Sequence, residues 1–190
     1  EGIFNSIAIS FSGITSAATL SSNNYPTQLL LKIKNRCEEL GLKKLPTLVW
    51  AFDNDIAGKD AAIEFHNRAT KDGWESTAAL PISSNNEYDL DWNDLFERDC
   101  LKDKEQIQRY KHFGQVHVAA TAREAALLIH LFKNKNSFYF IHHYKTYWFM
   151  LNSEKYQTEY DIQLNLTDSA EEAKIEATKK VSNVEMICDA

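Results

Sequence analysis

Downstream of Pro26, Leu29, Leu30, Ile33 and Cys37 recur on one face at helical spacing. The pattern predicts a helix from Pro26 to Leu40, with the proline in its first turn and Gly41 as the stop. The next apolar run, LPTLVWAF at 45–52, lacks clean alternation and predicts a buried, central strand of a parallel sheet. Helical spacing returns between Gly58 and Lys71, where Ala61, Ala62, Phe65 and Ala69 share a face and Gly73 terminates the run. Residues 74–82 (WESTAALPI) read as another strand. The polar turn SSNNEY then leads into DLDWNDLFERD, with a helix from about Trp92. Upstream, residues 2–12 fit a helix, or a helix followed by a strand, and SAATLSSNN reads as a short strand running into a turn. Strand, helix and strand at this spacing make an α/β layer with a mainly parallel sheet, flanked by helices. In such sheets ligands bind beyond the carboxyl ends of the strands.

The pattern changes after residue 97. LKDKEQIQRYKHFGQ reads as a charged helical connector, and AREAALLIHLFKN (122–134) as an amphipathic helix. SFYFIHHYKTYWFML predicts a β-hairpin with HHYK near its turn, and ten of the 22 aromatic residues fall between Phe132 and Tyr160. A helix over SAEEAKIEATKKV leads into a final strand over SNVEMICDA. The expected organisation is an α/β domain over 1–100 and a smaller α+β accessory region over 101–190, with the boundary between about 98 and 115. The second region is expected to be an incomplete piece of a larger one.

Composition narrows the function. The chain has 190 residues, 44% hydrophobic and 25% charged, which is ordinary for a globular protein. No stretch approaches the roughly 18 apolar residues of a membrane span, so no membrane partner is expected. A formal charge of −6 argues against a chain built mainly to coat phosphate backbones. It leaves room for a metal-dependent enzyme of phosphodiesters, which is acidic where its cations sit. Cys37, Cys100 and Cys188 are far apart and form no C-x-x-C pair, as expected of free thiols in a reducing cytoplasm. The opening EGIF, without methionine or signal pattern, suggests a piece of a longer protein. No G-x-x-x-x-G-K-[ST] motif occurs, so an ATPase motor would lie in other domains.

The candidate chemistry is acidic. Asp53 and Asp55 stand one residue apart at the mouth of a strand, in WAFDNDIAGK, where close carboxylates repel unless a cation or shared proton offsets the charge. Mg²⁺ is often held by one or two carboxylates with water and substrate phosphate. Asp91 and Asp94, at the start of the next helix, can approach from a neighbouring loop, with Asp89 and Glu87 nearby. Gly58 and Lys59 offer a helix N-terminus and a positive charge to a phosphate. The competing reading is structural: aspartate and asparagine are common in turns and at N-caps, so D-N-D can simply close a βα connection. Trp92 is expected to pack beneath the second cluster.

Three segments, EGIFNSIAI, VWAFDNDIAGKDAA and DLDWNDLF, resemble the signatures of the Toprim domain, shared by bacterial-type primases, phage and plasmid primase–helicases, topoisomerases and some nucleases. The resemblance covers residues 1–97, and its spelling is closer to the primase branch of phages and mobile elements. It implies a Toprim-like parallel sheet in which Glu1, Asp53 and Asp55 are catalytic, while Asp53, Asp55, Asp91 and Asp94 hold Mg²⁺ or Mn²⁺. Glu1 would serve as a second-metal ligand or as the group that takes a proton from the attacking hydroxyl. The family's first strand, which precedes the glutamate, is expected to be missing here. The implied parent protein is a DNA primase-like nucleotidyltransferase making RNA primers on single-stranded DNA. Its partners would be DNA, nucleotides and other domains of the parent chain, a helicase among them. The alternatives are a Toprim-type nuclease and a non-catalytic nucleic-acid- or protein-binding module; nothing supplies a topoisomerase tyrosine in a recognisable setting.

In the second region Tyr139, Tyr144, Tyr147 and Trp148, with Lys133, Lys135 and Lys145, can stack bases and meet phosphates. Core packing explains the same residues. His142 and His143, adjacent on a strand, are expected to point to opposite faces, and His66 to lie on a helix surface.

Overall fold

In the computed structural model, which describes residues 2–82 and 90–187, contacts divide the chain into two units, Glu1–Val118 and Ala119–Ala190. The first unit contains α1 (Ile3–Phe11), α2 (Thr27–Glu39), β1 (Leu48–Ala51), α3 (Ile56–Lys71), β2 (Ser76–Ala79), α4 (Trp92–Glu97) and α5 (Lys104–Val118). β1 and β2 pair in parallel, Leu48 opposite Ser76 through Ala51 opposite Ala79. Side-chain alternation sends Trp50, Phe52 and Ala78 into one core, with Leu30 of α2 and Ala61, Ala62, Phe65 and Ala69 of α3. Ala79 enters a second core, with Ala8 of α1, Trp92 and Leu95 of α4 and Tyr110 of α5. Both faces are covered, which explains the continuous apolar runs. Phe65 is the hub of the first core: the rings of Trp50, Phe52 and Tyr25 meet it nearly edge-on, with centroids 5.2, 5.2 and 5.3 Å away.

Three expectations are corrected here. The apolar run at 45–52 forms a strand only from Leu48, after Pro46, and among the described residues β1 is an edge strand rather than a central one; Val49 is 41% exposed. SAATLSSNN forms no strand. Its hydroxyls bond locally, Ser16 Oγ to the Ser6 carbonyl at 2.6 Å and Thr19 Oγ1 to the Ser21 carbonyl at 3.1 Å, while Leu20 takes φ of +65°. The supposed charged connector is α5, which lies across β2 and buries Tyr110, Gly114 and Val118. Residues 2–12, ambiguous in the sequence, form helix α1.

The second unit contains α6 (Ala122–Lys133), β3 (Ser137–His142), β4 (Lys145–Leu151), α7 (Ser153–Leu164), α8 (Ala170–Val181) and β5 (Ser182–Met186). The hairpin β3–β4 extends to β5 in an antiparallel sheet of order β3–β4–β5. Helix α7 was not foreseen, because its residues are polar nearly all round and only Gln163 is buried. It is capped by Asn152 and rests on α8, where Ala173 and Ala177, one turn apart, are fully buried. The fold is thus a small parallel sheet flanked by helices, followed by an aromatic-rich antiparallel region. No helix among the described residues is long and apolar enough to cross a membrane.

Two predictions follow from these contacts. A Cβ on Gly114 would overlap the Ala78 carbonyl and the Ala79 Cα, backbone atoms that yield only if the helix moves. Gly114→Ala gains ~1 kcal/mol of helix propensity, but overpacking of this kind costs about 1–3 kcal/mol. Urea unfolding is expected to show a net loss of up to about 2 kcal/mol.

In the second unit, the buried His142 donates from Nε2 to the Ala119 carbonyl at 2.8 Å. Burial lowers its pKa below the ordinary 6.5; the Ala119 bond and Glu124 oppose this, and His143 reinforces it. Below 6.5 the unfolded chain therefore binds the proton first, so this contribution to stability is full above 6.5 and is lost as pH falls through the lower folded value. His142→Gln, which keeps a donor without titrating, is expected to flatten the fall of the urea midpoint between neutral and acidic pH.

Candidate functional site

The end of β1 and the start of α3 build the first half of the site. Phe52 is buried, and the chain then turns through Asp53 and Asn54 to Asp55, whose extended backbone (φ −97°, ψ −179°) makes it the N-cap of α3. Asp55 Oδ1 accepts from the Gly58 N–H at 2.6 Å. A Cβ on Gly58 would overlap the backbone of Asp53, so the A-G-K turn lets α3 begin directly against the strand end. Asp53 Oδ1 accepts from Asn5 Nδ2 at 3.0 Å. Between the two aspartates, Asn54 Oδ1 is buried without a hydrogen-bond partner among the described residues.

The second half is the start of α4. Asp91 Oδ1 accepts from the Asp94 N–H at 2.8 Å, and Asp94 Oδ2 accepts from the Asp91 N–H at 3.2 Å, a reciprocal capping box. Two bonds tie this turn to the first. Trp92 Nε1 donates to the Phe52 carbonyl at 3.1 Å, and the Asn93 N–H donates to Asn5 Oδ1 at 3.3 Å. The buried Asn5 thus joins the Asp53 carboxylate to the first turn of α4 through the two ends of one amide. Asn5 is the residue that sequence reasoning missed. Its signal was present: an amide one helical turn from Ala8, on the buried face of α1.

Among the described residues, no group of three or more His, Cys, Asp or Glu could hold a metal ion. Asp55, Asp91 and Asp94 each engage one oxygen in capping, but a carboxylate has about four acceptor positions, so capping does not exhaust it. Hard oxygens from Asp53 and Asp55, with the orphaned Asn54 amide oxygen between them, do not make an all-protein cage. They do fit the lesser demand of Mg²⁺ or Mn²⁺ held by one or two carboxylates, water and phosphate. Glu1, Glu87 and Asp89 lie outside the described residues, as does Cys188. At the start of α3 the Gly58 N–H is taken by Asp55 Oδ1, and the Lys59 N–H donates to the Asp55 carbonyl at 3.1 Å. A phosphate there has the Lys59 ammonium to meet, not these two amides.

The aromatic candidates of the second unit divide between two faces. Tyr139 and Trp148 are cross-strand partners with ring centroids 4.1 Å apart, and Tyr139 is 67% exposed. Tyr147 points to the opposite face and stacks on Phe140. Lys145 is exposed at the start of β4, opposite His142. His143 occupies the turn at φ +49°, exposed, with its ring stacked on that of His142 at 4.1 Å.

Residues 1–96, just over half of the 190, match a family model described as Toprim-like. No curated protein and no solved structure matches the chain. The matched segment contains the strand-end aspartates, the glycine turn and the capping box, and with it the chain belongs to the Toprim-like family.

Proposed function

We propose that the N-terminal region is the metal-dependent phosphoryl-transfer domain of a DNA primase or primase–helicase, with the second unit as an accessory region. The observation that carries this reading is the convergence of two acidic turns. Asp53, at the carboxyl end of β1, is joined by Asn5 to the turn that carries Asp91 and Asp94. In this reading Asp53 and Asp55 hold the cation, and Asp91 and Asp94 add negative charge beside it while capping α4. Asn5 fixes the direction of the Asp53 carboxylate, and the Lys59 ammonium meets a phosphate oxygen. A bound Mg²⁺ or Mn²⁺ would neutralise charge on the transferring phosphoryl group. Glu1 completes the set as a ligand or a proton acceptor. Single-stranded DNA and nucleotides are the substrates, and Tyr139, Trp148 and Lys145 offer a weaker contact to DNA, with Tyr147 on the other face. The free thiols of Cys37 and Cys100 suit a reducing, cytoplasmic setting.

One observation favours a second reading, a non-catalytic binding module: of the four described candidate aspartates, Asp55 and Asp91 are helix N-caps and Asp94 completes a capping box. Calorimetric titration of Mn²⁺ and Mg²⁺ separates the two. The proposal expects saturable binding that is lost in Asp53→Asn/Asp55→Asn, a variant that keeps hydrogen-bond acceptors and the α3 cap without the charge. It also expects Asn5→Ala to weaken binding by about 10–100-fold, as loss of a ligand's supporting partner does. Absence of binding, or affinity unchanged in the double variant, would overturn the metal site. With the site established, labelled nucleotides and single-stranded DNA distinguish extension of a primer from shortening of the DNA, the nuclease outcome.

A further inference from the structure

The hairpin of the second unit turns on residues that disfavour the turn. β3 ends at His142 and β4 begins at its pairing partner Lys145, so His143 and Tyr144 alone make the connection. Both have positive φ, +49° and +62°. A two-residue turn of this kind favours Asn-Gly, because most L-residues enter the left-handed region at a cost. Among the described residues, no other two consecutive non-glycine residues do so. Stacking on His142, with centroids 4.1 Å apart, accounts for the His143 ring. Burial does not account for Tyr144, which is 76% exposed. A strained backbone kept where packing does not require it points to a function for the side chains it presents.

Charge and shape narrow the ligand. The chain carries 27 acidic residues among 190, yet none falls between Ala125 and Ser153, the stretch that holds the whole hairpin. Lys133, Lys135 and Lys145, with three histidines, make this stretch a cationic island in a chain of formal charge −6. Lys145 is exposed beside Tyr144, and Ile141 and Tyr139 continue along one face of β3, 74% and 67% exposed. An exposed ring flanked by a lysine and a histidine matches a base with its phosphates: the ring stacks, and the cationic groups meet the backbone. An acidic peptide would use the charge and leave the ring without a partner.

We propose that the His143–Tyr144 turn is a contact for single-stranded nucleic acid, in which Tyr144 stacks on a base while His143 and Lys145 meet phosphates. This rests on the proposed function only in taking single-stranded DNA as the partner, and it extends the contact given there to Tyr139, Trp148 and Lys145. The test uses the full 190-residue chain and fluorescein-labelled oligothymidylate in EDTA, so that no cation at Asp53 and Asp55 contributes. Anisotropy is expected to saturate, and affinity to fall about tenfold with an abasic strand of the same length, the effect of losing a stacked base. A labelled oligoglutamate of equal charge is expected to bind more weakly than the oligothymidylate. The double variant His143→Asn/Tyr144→Gly gives the turn its preferred pair, so the urea midpoint is expected to rise while strand affinity falls about tenfold. A purely structural turn would move the midpoint alone. Tyr144→Phe keeps the ring and is expected to retain binding. Lys145→Gln is expected to reduce the slope of log affinity against log salt by about 0.7. Equal affinity for the abasic strand, or unchanged affinity in the double variant, would overturn the proposal, as would saturable binding of no probe. Preference for oligoglutamate would assign the tip to an acidic peptide instead, and a fall in the urea midpoint of the double variant would remove the strain on which the proposal stands. Because the strand is titrated without divalent cations, failure here leaves the Mn²⁺ and Mg²⁺ titrations of the acidic site to stand or fall separately.

Discussion

The contact on which the first unit turns is the one between Gly58 and the backbone of Asp53. Helix α3 starts so close to the end of β1 that a single methyl group at position 58 would overlap the strand. That closeness has three consequences. It makes Asp55 the cap, since only a short acceptor three residues upstream reaches the Gly58 N–H. It brings the inward face of α3 down onto Trp50 and Phe52, so that Phe65 meets both rings edge-on. It also leaves Asp53 as the residue at the open end of the strand, where the sheet meets α1 and α4.

The same side chains therefore hold the fold and gather the charge. A carboxylate at a helix N-terminus is stabilised by the unpaired amides and the dipole there, by about 0.3–1 kcal/mol at exposed sites. Asp55, Asp91 and Asp94 all occupy such positions, which lets several like charges gather near one sheet edge at reduced electrostatic cost. Capping thus does not argue against cation binding. It supplies a means of keeping the acids in place when no cation is bound.

Much of this was legible in the sequence. The inward residues of α3, the hairpin with its turn near His143 and Tyr144, and α6, α8 and the final strand follow from periodicity and turn chemistry, which are local. What periodicity could not show depended on partners distant in sequence. LKDKEQIQRYKHFGQ looks like a solvated connector because charges dominate it, yet Tyr110 and Gly114 are spaced to lay α5 on the β2 backbone. Helix α7 has no apolar stripe, and α8 beside it makes room with alanines rather than signalling with large apolar residues. SAATLSSNN has strand-like spacing, but its hydroxyls bond locally and outcompete a ladder. At the site, the two aspartate pairs stood out, whereas Asn5 did not. A single buried amide is informative only when both groups it bridges are known.

β1 connects the functional elements of this unit. At its end stands Asp53, oriented by Asn5. Ala51 immediately precedes Phe52, whose carbonyl accepts from Trp92 Nε1, a bond that narrows the directions in which Phe52 and Asp53 leave the sheet. Asn5 narrows the same freedom from the opposite end, through the Asp53 side chain. Orientation of that carboxylate thus draws on the whole of a short β1, which is held by an aromatic core on one face and by Trp92 of α4 at its end.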